Sequence, residues 1–171
     1  TAVDNAERVI ELANCINGDA PGVMSMACAE LVIPFVHIST DYVFDGKGMA
    51  TWHEIDTPHP LNAYGKSKLK GEQAIKTSGC AYAILRTSWV VSAHGSNFVK
   101  TMLRLADTTD QLTVVGDQVG GPTCAHDIAK TCIYIAERLI DDTQKSGVYH
   151  YSGQPDVSWC QFANAIFGLI G

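Results

Sequence analysis

The sequence lacks any apolar run near the ~20 residues that a membrane-spanning helix needs, and its opening residues lack the basic-then-apolar series of a signal peptide. It has no Asn-x-Ser/Thr sequon and no Cys-x-x-Cys pair, although six cysteines are present. Cys15, Cys28, Cys80, Cys124, Cys132 and Cys160 are irregularly spaced, and most fall inside apolar helical or strand patterns. Buried free thiols in a reducing compartment are therefore expected, rather than a disulfide framework. Positive charge is scarce: 12 Lys and Arg stand against 18 Asp and Glu, a formal charge of -6. With no dense basic patch and no aromatic-interleaved stripe, the charge argues against a nucleic-acid partner. Internal repeats, low-complexity tracts and clear linkers are missing too. What is present is ordinary globular composition, 46% hydrophobic and 18% charged over 171 residues, enough for a domain with a proper core.

Along the chain, helical and strand patterns alternate. Asp4-Asn5-Ala6-Glu7 has the spacing of a capping box, and Ala6, Val9, Ile10 and Ala13 recur at helical intervals, so an opening helix is expected. A second helix is predicted over 17–30, with Ala20, Val23, Met24, Ala27 and Cys28 as its core stripe. Residues 34–38 read as a strand buried on both faces, in the manner of a parallel sheet, with His37 a satisfied core residue. Turn chemistry at 45–48 and a surface loop over 51–60 precede a helix at 61–78 and a strand at 81–85. Beyond these the pattern predicts a helix at 97–105, a strand at 112–115, a turn at 120–123, a helix at 125–140, a strand at 148–151 and a helix at 158–170. Such alternation implies βαβ units and an α/β fold with a mainly parallel sheet. Cys124, His126 and Asp127 lie close together, but their spacing suits no common zinc motif.

Chemistry gathers where the first strand ends. Ser39-Thr40-Asp41-Tyr42 leaves its carboxyl end, where ligands of open α/β sheets sit and where hydroxyls can face a crevice. On the following helix, Tyr64 and Lys68 are four apart, on one face, with a rise of roughly 6 Å between them. An ammonium beside a phenol that ordinarily titrates near ~10 favours its anionic form, giving a proton donor useful at neutral pH. A hydroxyl to hold a carbonyl oxygen, a phenol to protonate it and an ammonium to tune the phenol are the parts that ketone reduction needs. Each part has a plainer reading beside it: the hydroxyls can cap a turn, and Lys68 can be one more solvated lysine next to Lys66 and Lys70.

Ser39-Thr40-Asp41-Tyr42-Val43-Phe44-Asp45-Gly46, then Pro60-Leu61-Asn62-Ala63-Tyr64-Gly65-Lys66-Ser67-Lys68-Leu69-Lys70-Gly71-Glu72, then Arg86-Thr87-Ser88-Trp89-Val90, resemble the dTDP-4-dehydrorhamnose reductases of the extended short-chain dehydrogenase/reductase family. Thr1-Ala2-Val3-Asp4, Asn97-Phe98 and Gly121-Pro122-Thr123 fit the same pattern, so the likeness runs over nearly the whole chain. The resemblance implies a Rossmann-like doubly wound sheet, part of it over 1–115, with 116–171 supplying part of a small substrate-binding region and the end of the sheet domain. It implies that Thr40 binds the C4 carbonyl of a 4-keto sugar, that Tyr64 donates the proton, and that Lys68 lowers the Tyr64 pKa while binding the nicotinamide ribose. Ser39 matches the cofactor side, Asp41, Tyr42 and Trp89 the sugar pocket, and Asn97 a position near the nucleotide-sugar. NADPH or NADH would supply the hydride. The resemblance also admits Mg2+, a homodimer and a cytoplasmic setting. Trp89 can equally be a core aromatic. Related dehydratases carry Asp-Glu after the active-site Thr, the Glu acting as base; here Asp41 is followed by Tyr42, which favours simple reduction. A non-catalytic regulatory or partner-binding subunit on the same scaffold is the alternative.

A dinucleotide-binding fold begins with a strand, a glycine-rich turn and a helix whose N-terminus receives the pyrophosphate. Nothing here matches, since Gly116-Asp117-Gln118-Val119-Gly120-Gly121 runs into Pro122 rather than into a helix. The expectation is therefore a piece of a longer polypeptide, without the N-terminal cofactor motif and the C-terminal end, that binds nicotinamide cofactor poorly by itself.

Overall fold

The computed structural model describes residues 3–48, 50–109 and 111–170; Thr1 and Ala2 of the motif Thr1-Ala2-Val3-Asp4 lie outside them. In chain order its elements are α1 (Val3–Ala6), α2 (Ile10–Asn14), a π-helical turn (Cys15–Asp19), α3 (Ala20–Glu30), β1 (Phe35–Thr40), a 3-10 turn (Asp41–Val43), α4 (Ala63–Lys76) and β2 (Tyr82–Thr87). There follow β3 (Val90–Val91), α5 (Phe98–Ala106), β4 (Val119–Gly120), β5 (Thr123–Cys124), α6 (Ala125–Asp141), a 3-10 turn (Thr143–Lys145), β6 (Gly147–His150), β7 (Val157–Ser158) and α7 (Trp159–Phe167). Contacts divide the chain into two compact units, Thr1–Thr87 with Thr131–His150, and Ser88–Lys130 with Tyr151–Gly171.

The first unit is built on a parallel sheet of order β1-β2-β6. Phe35 pairs with Tyr82 and the register runs to Thr40 opposite Thr87, so both strands end together. Strand β1 is half-buried rather than buried on both faces, with Ile38 47% exposed, because β2 is its sole ladder partner among the described residues.

Helix α4 organises this unit. The Asn62 side chain accepts the Gly65 N–H at 2.7 Å and caps it. Its first turn is completed from a distance: Glu7 Oε1 accepts the Ala63 N–H at 2.7 Å. The expected capping box from Asp4 to Glu7 does not form, since Asp4 lies inside α1 rather than ahead of it; the opening helix is split into α1 and α2, and Glu7 turns to an orphan donor of another helix. Helix α3 also departs from expectation. Val23 and Met24 of the anticipated core stripe are 61% and 48% exposed, while Pro21, Gly22 and Ser25 are buried. Small residues win that face because they let α3 approach α4 closely; a Cβ on Gly22 would lie 2.9 Å from that of Ala74.

In the second unit β3 pairs with β5 in parallel and β4 with β7 antiparallel. Its core joins α5 and α7 through Met102, Ala163 and Ile166, with Leu112 and Val114 packed against them. Residues 112–115, expected as a strand, form no ladder. The alternation is real, but it serves the helices: Leu112 and Val114 turn inward, and the Val115 carbonyl accepts the Cys160 N–H at 2.9 Å. The expected turn at 120–123 takes in the end of β4 and the start of β5. Helix α7 starts on a full capping box between Ser158 and Gln161. All six cysteines are free thiols, but Cys80 alone is buried, and Cys15 and Cys124 are exposed, which corrects the expectation of buried thiols throughout.

Candidate active site

Strand β1 delivers its last two hydroxyls to opposite faces of the sheet. Ser39 Oγ does not face a crevice: it donates to Glu72 Oε1 at 2.6 Å, deep against α4. Glu72 is fully buried and accepts a fork from Arg86, Nε to Oε1 at 2.9 Å and Nη2 to Oε2 at 2.7 Å. Arg86 also lies over the Phe44 ring at 5.0 Å and 3.4 Å from His150 Nε2. The end of β1, the middle of α4 and the end of β2 are thus tied by one buried charged group.

Thr40 holds the turn that follows. Its Oγ1 accepts the Tyr42 N–H at 3.2 Å and donates to Asp41 Oδ1 at 3.1 Å. Asp41 is exposed by surface area, yet enough protein surrounds its carboxylate to push its pKa up. Tyr42, 44% exposed, meets Tyr64 edge to face, with centroids 5.7 Å apart. The close approach of this turn to α4 requires glycine at 65, where a Cβ would lie 2.1 Å from the Tyr42 carbonyl oxygen.

Tyr64 lies near enough to the Thr40 side chain for that hydroxyl to act on the phenol's pKa. Burial raises the Tyr64 pKa above its ordinary value; the Thr40 side chain pulls it down, and the charges of Asp41 and Tyr42 add to the rise. Lys68 is not among the groups that set it. The net direction at the phenol is upward. Lys68 Nζ donates to the Ile38 carbonyl at 2.6 Å and lies 3.1 Å from His37 Nε2. Burial lowers the Lys68 pKa to about 8, against the opposing pull of Glu72. His37 falls to about 4, through burial first and the charge of Lys68 second.

Thr40, Asp41, Tyr42, Tyr64 and Lys68 therefore gather around the start of α4, in the first unit. Trp89 and Asn97 belong to the second. Trp89, at a φ of 48°, stacks on Trp159 with centroids 3.4 Å apart. The Asn97 amide is committed at both ends, accepting the Lys100 N–H at 3.2 Å and donating to the Ser92 carbonyl at 2.6 Å. Sequence reasoning passed over Thr87. It lies beside Thr40 in register, and its Oγ1 is buried without a hydrogen-bond partner among the described residues. Its place at a strand's carboxyl end was the available signal. Glu72 and Arg86, both charged and inside apolar patterns, carried a signal too. Among the described residues, no three His, Cys, Asp or Glu side chains gather as a metal site.

The hydroxyl at the end of a parallel strand, with Tyr and Lys one turn apart on the next helix, is carried by an α/β fold of the Rossmann-like kind. The family model described as the RmlD substrate binding domain matches residues 1–171, and the chain belongs to that family. It is 45% identical over 171 residues to a dTDP-4-dehydrorhamnose reductase of Sinorhizobium fredii, covering 99% of this chain and 58% of the relative. Among solved structures, a dTDP-4-dehydrorhamnose reductase of Clostridium acetobutylicum superposes with a TM-score of 0.91 at 42% identity, over 100% of this chain and 59% of that one. The enzyme of the same name from Bacillus anthracis, in complex with NADP, gives 0.89 at 39% identity, over 99% of this chain and 59% of that one. The chain thus spans somewhat under three-fifths of the length of these relatives.

Proposed function

We propose that the protein to which these residues belong reduces the C4 ketone of dTDP-4-dehydro-6-deoxy-L-mannose (dTDP-4-dehydrorhamnose) to dTDP-L-rhamnose, with NADPH or NADH. The observation that carries the reading is Tyr64, beside Thr40 at a strand end and one turn before Lys68 on α4. The relatives' names support the substrate class, and the NADP complex of one of them supports a nicotinamide cofactor.

In this reading Thr40 hydrogen-bonds the carbonyl oxygen and Tyr64 gives it the proton, while the bound cofactor supplies hydride to C4. A phenol whose pKa burial has raised stays protonated at neutral pH, and so is loaded as an acid before the ketone arrives. Lys68 has three N–H donors, and two are occupied by the Ile38 carbonyl and His37, so one is left for a ribose hydroxyl. The orphaned Thr87 hydroxyl is a second group fit to meet the nicotinamide end. Ser39, bound to Glu72, serves the cofactor side by anchoring the strand rather than by offering its hydroxyl. Asp41, Tyr42, Trp89 and Asn97 keep the sugar-nucleotide roles that the resemblance implies, and a cytoplasmic homodimer belongs to the same proposal. The presence of Thr40, Tyr64 and Lys68 together favours catalysis over a partner-binding role.

The test is NADPH oxidation by the full-length protein with the 4-keto sugar nucleotide. Tyr64→Phe is expected to lower kcat by roughly 100-fold or more. Equal rates would remove Tyr64 as the acid and with it the reading.

A further inference from the structure

Lys68 is 9% exposed and makes no ion pair among the described residues. A buried ammonium held by one carbonyl is free to swing about that bond; a second acceptor fixes its direction. We propose that His37 is the positioning residue for Lys68: its Nε2 accepts one N–H, the Ile38 carbonyl accepts another, and the third is thereby aimed at a ligand. This rests on the reductase reading and adds to it a residue outside the Thr-Tyr-Lys set.

The register of two elements builds the contact. Phe35, His37 and Ser39 share one face of β1, and Lys68 and Glu72 share one face of α4. Two residues along a strand advance roughly 6.6 Å and four along a helix roughly 6 Å. Strand and helix therefore meet as two matched rungs, Ser39 with Glu72 at 2.6 Å and His37 with Lys68 at 3.1 Å. Phe35 stacks against the imidazole with centroids 6.2 Å apart and an interplanar angle of 23°, which orients the ring. Because an ammonium can only donate, Nε2 must present its lone pair, and the ring must be neutral with its proton on Nδ1. The depressed pKa of His37, about 4, keeps it in that form at neutral pH.

The contact is tested first on the unmutated full-length protein, by the 15N chemical shifts of the His37 ring. The Nδ1–H tautomer with an unprotonated Nε2 is expected; an Nε2–H tautomer overturns the proposal. The role is tested in the NADPH-dependent assay with two variants whose folding is checked by thermal melting. His37→Phe keeps a ring against Phe35 and removes the acceptor, and should raise the KM for cofactor by about tenfold or more. His37→Gln restores an acceptor and should recover most of that loss, and the KM for the sugar nucleotide should stay near wild type in both. A folded His37→Phe with unchanged cofactor KM overturns the proposal; if that variant does not fold, the wild-type tautomer decides. Lys68→Ala in the same assay separates the two claims. Full activity there removes Lys68 from the reductase reading, whereas inactive Lys68→Ala beside an unaffected His37→Phe sinks the positioning role alone.

Discussion

Glu72 places a full charge where no water reaches, which is costly unless every lone pair is used. Three short hydrogen bonds from Ser39 and Arg86 offset that cost, two of them in the bidentate geometry that suits guanidinium and carboxylate. Glu72→Leu strands Arg86 and should cost on the order of 3–5 kcal/mol in urea unfolding; a change below about 1 kcal/mol would show that the pair adds nothing. His37 sets a pH dependence of opposite origin. Its folded pKa of about 4 lies below the ordinary 6.5, so between these values the unfolded chain binds more protons. The stability it contributes is present above pH 6.5 and is lost as pH falls through about 4. Melting temperature should therefore fall less steeply over that window in His37→Phe than in the parent; parallel curves would contradict the depressed pKa. Tyr64 and Lys68 are legible in the sequence because a helix has a fixed period. The partners of Glu72 and His37 are not, since each depends on how a strand and a helix are registered.

At the scale of elements, close approach governs what the chain permits. Gly65 and Gly71 both lie on α4, and a Cβ at either would sit 2.1 Å from a backbone oxygen, that of Tyr42 or of Asn17. Gly65→Ala should push the turn carrying Thr40 and Tyr42 away from α4, with a loss of roughly 1–3 kcal/mol in stability and a larger fractional loss in kcat/KM. An alanine variant with parent-like melting and kinetics would refute that packing. Elements with a local cause are the legible ones: α4, α7, β2 and α6 follow from patterns within their own stretches of chain. Those decided from afar are not. Glu7 fits a local box on paper, but in the fold it satisfies Ala63, fifty-six residues on. Residues 112–115 alternate like a strand and yet feed a helical core.

For the molecule as a whole, the parallel sheet and the reductase-like motif order were visible in the sequence, because both rest on spacing along one stretch of chain. The resemblance put the end of the sheet domain within 116–171, but that residues 131–150 are the part that returns to the first unit was not legible, since it depends on β6 pairing with β2 from far along the chain. The aromatic residues of the two units differ in a way that reaches beyond packing. Trp52 in the first unit stacks on Phe44, whereas Trp89 and Trp159 in the second lie face to face, 8° from parallel. Two indoles that close share their electronic excitation, giving a paired circular-dichroism band and a dimmed, shifted emission, while Trp52 emits as a single chromophore. With three tryptophans in all, the chain carries a separate built-in optical signal for each unit, so the melting of one can be followed against the other without any label.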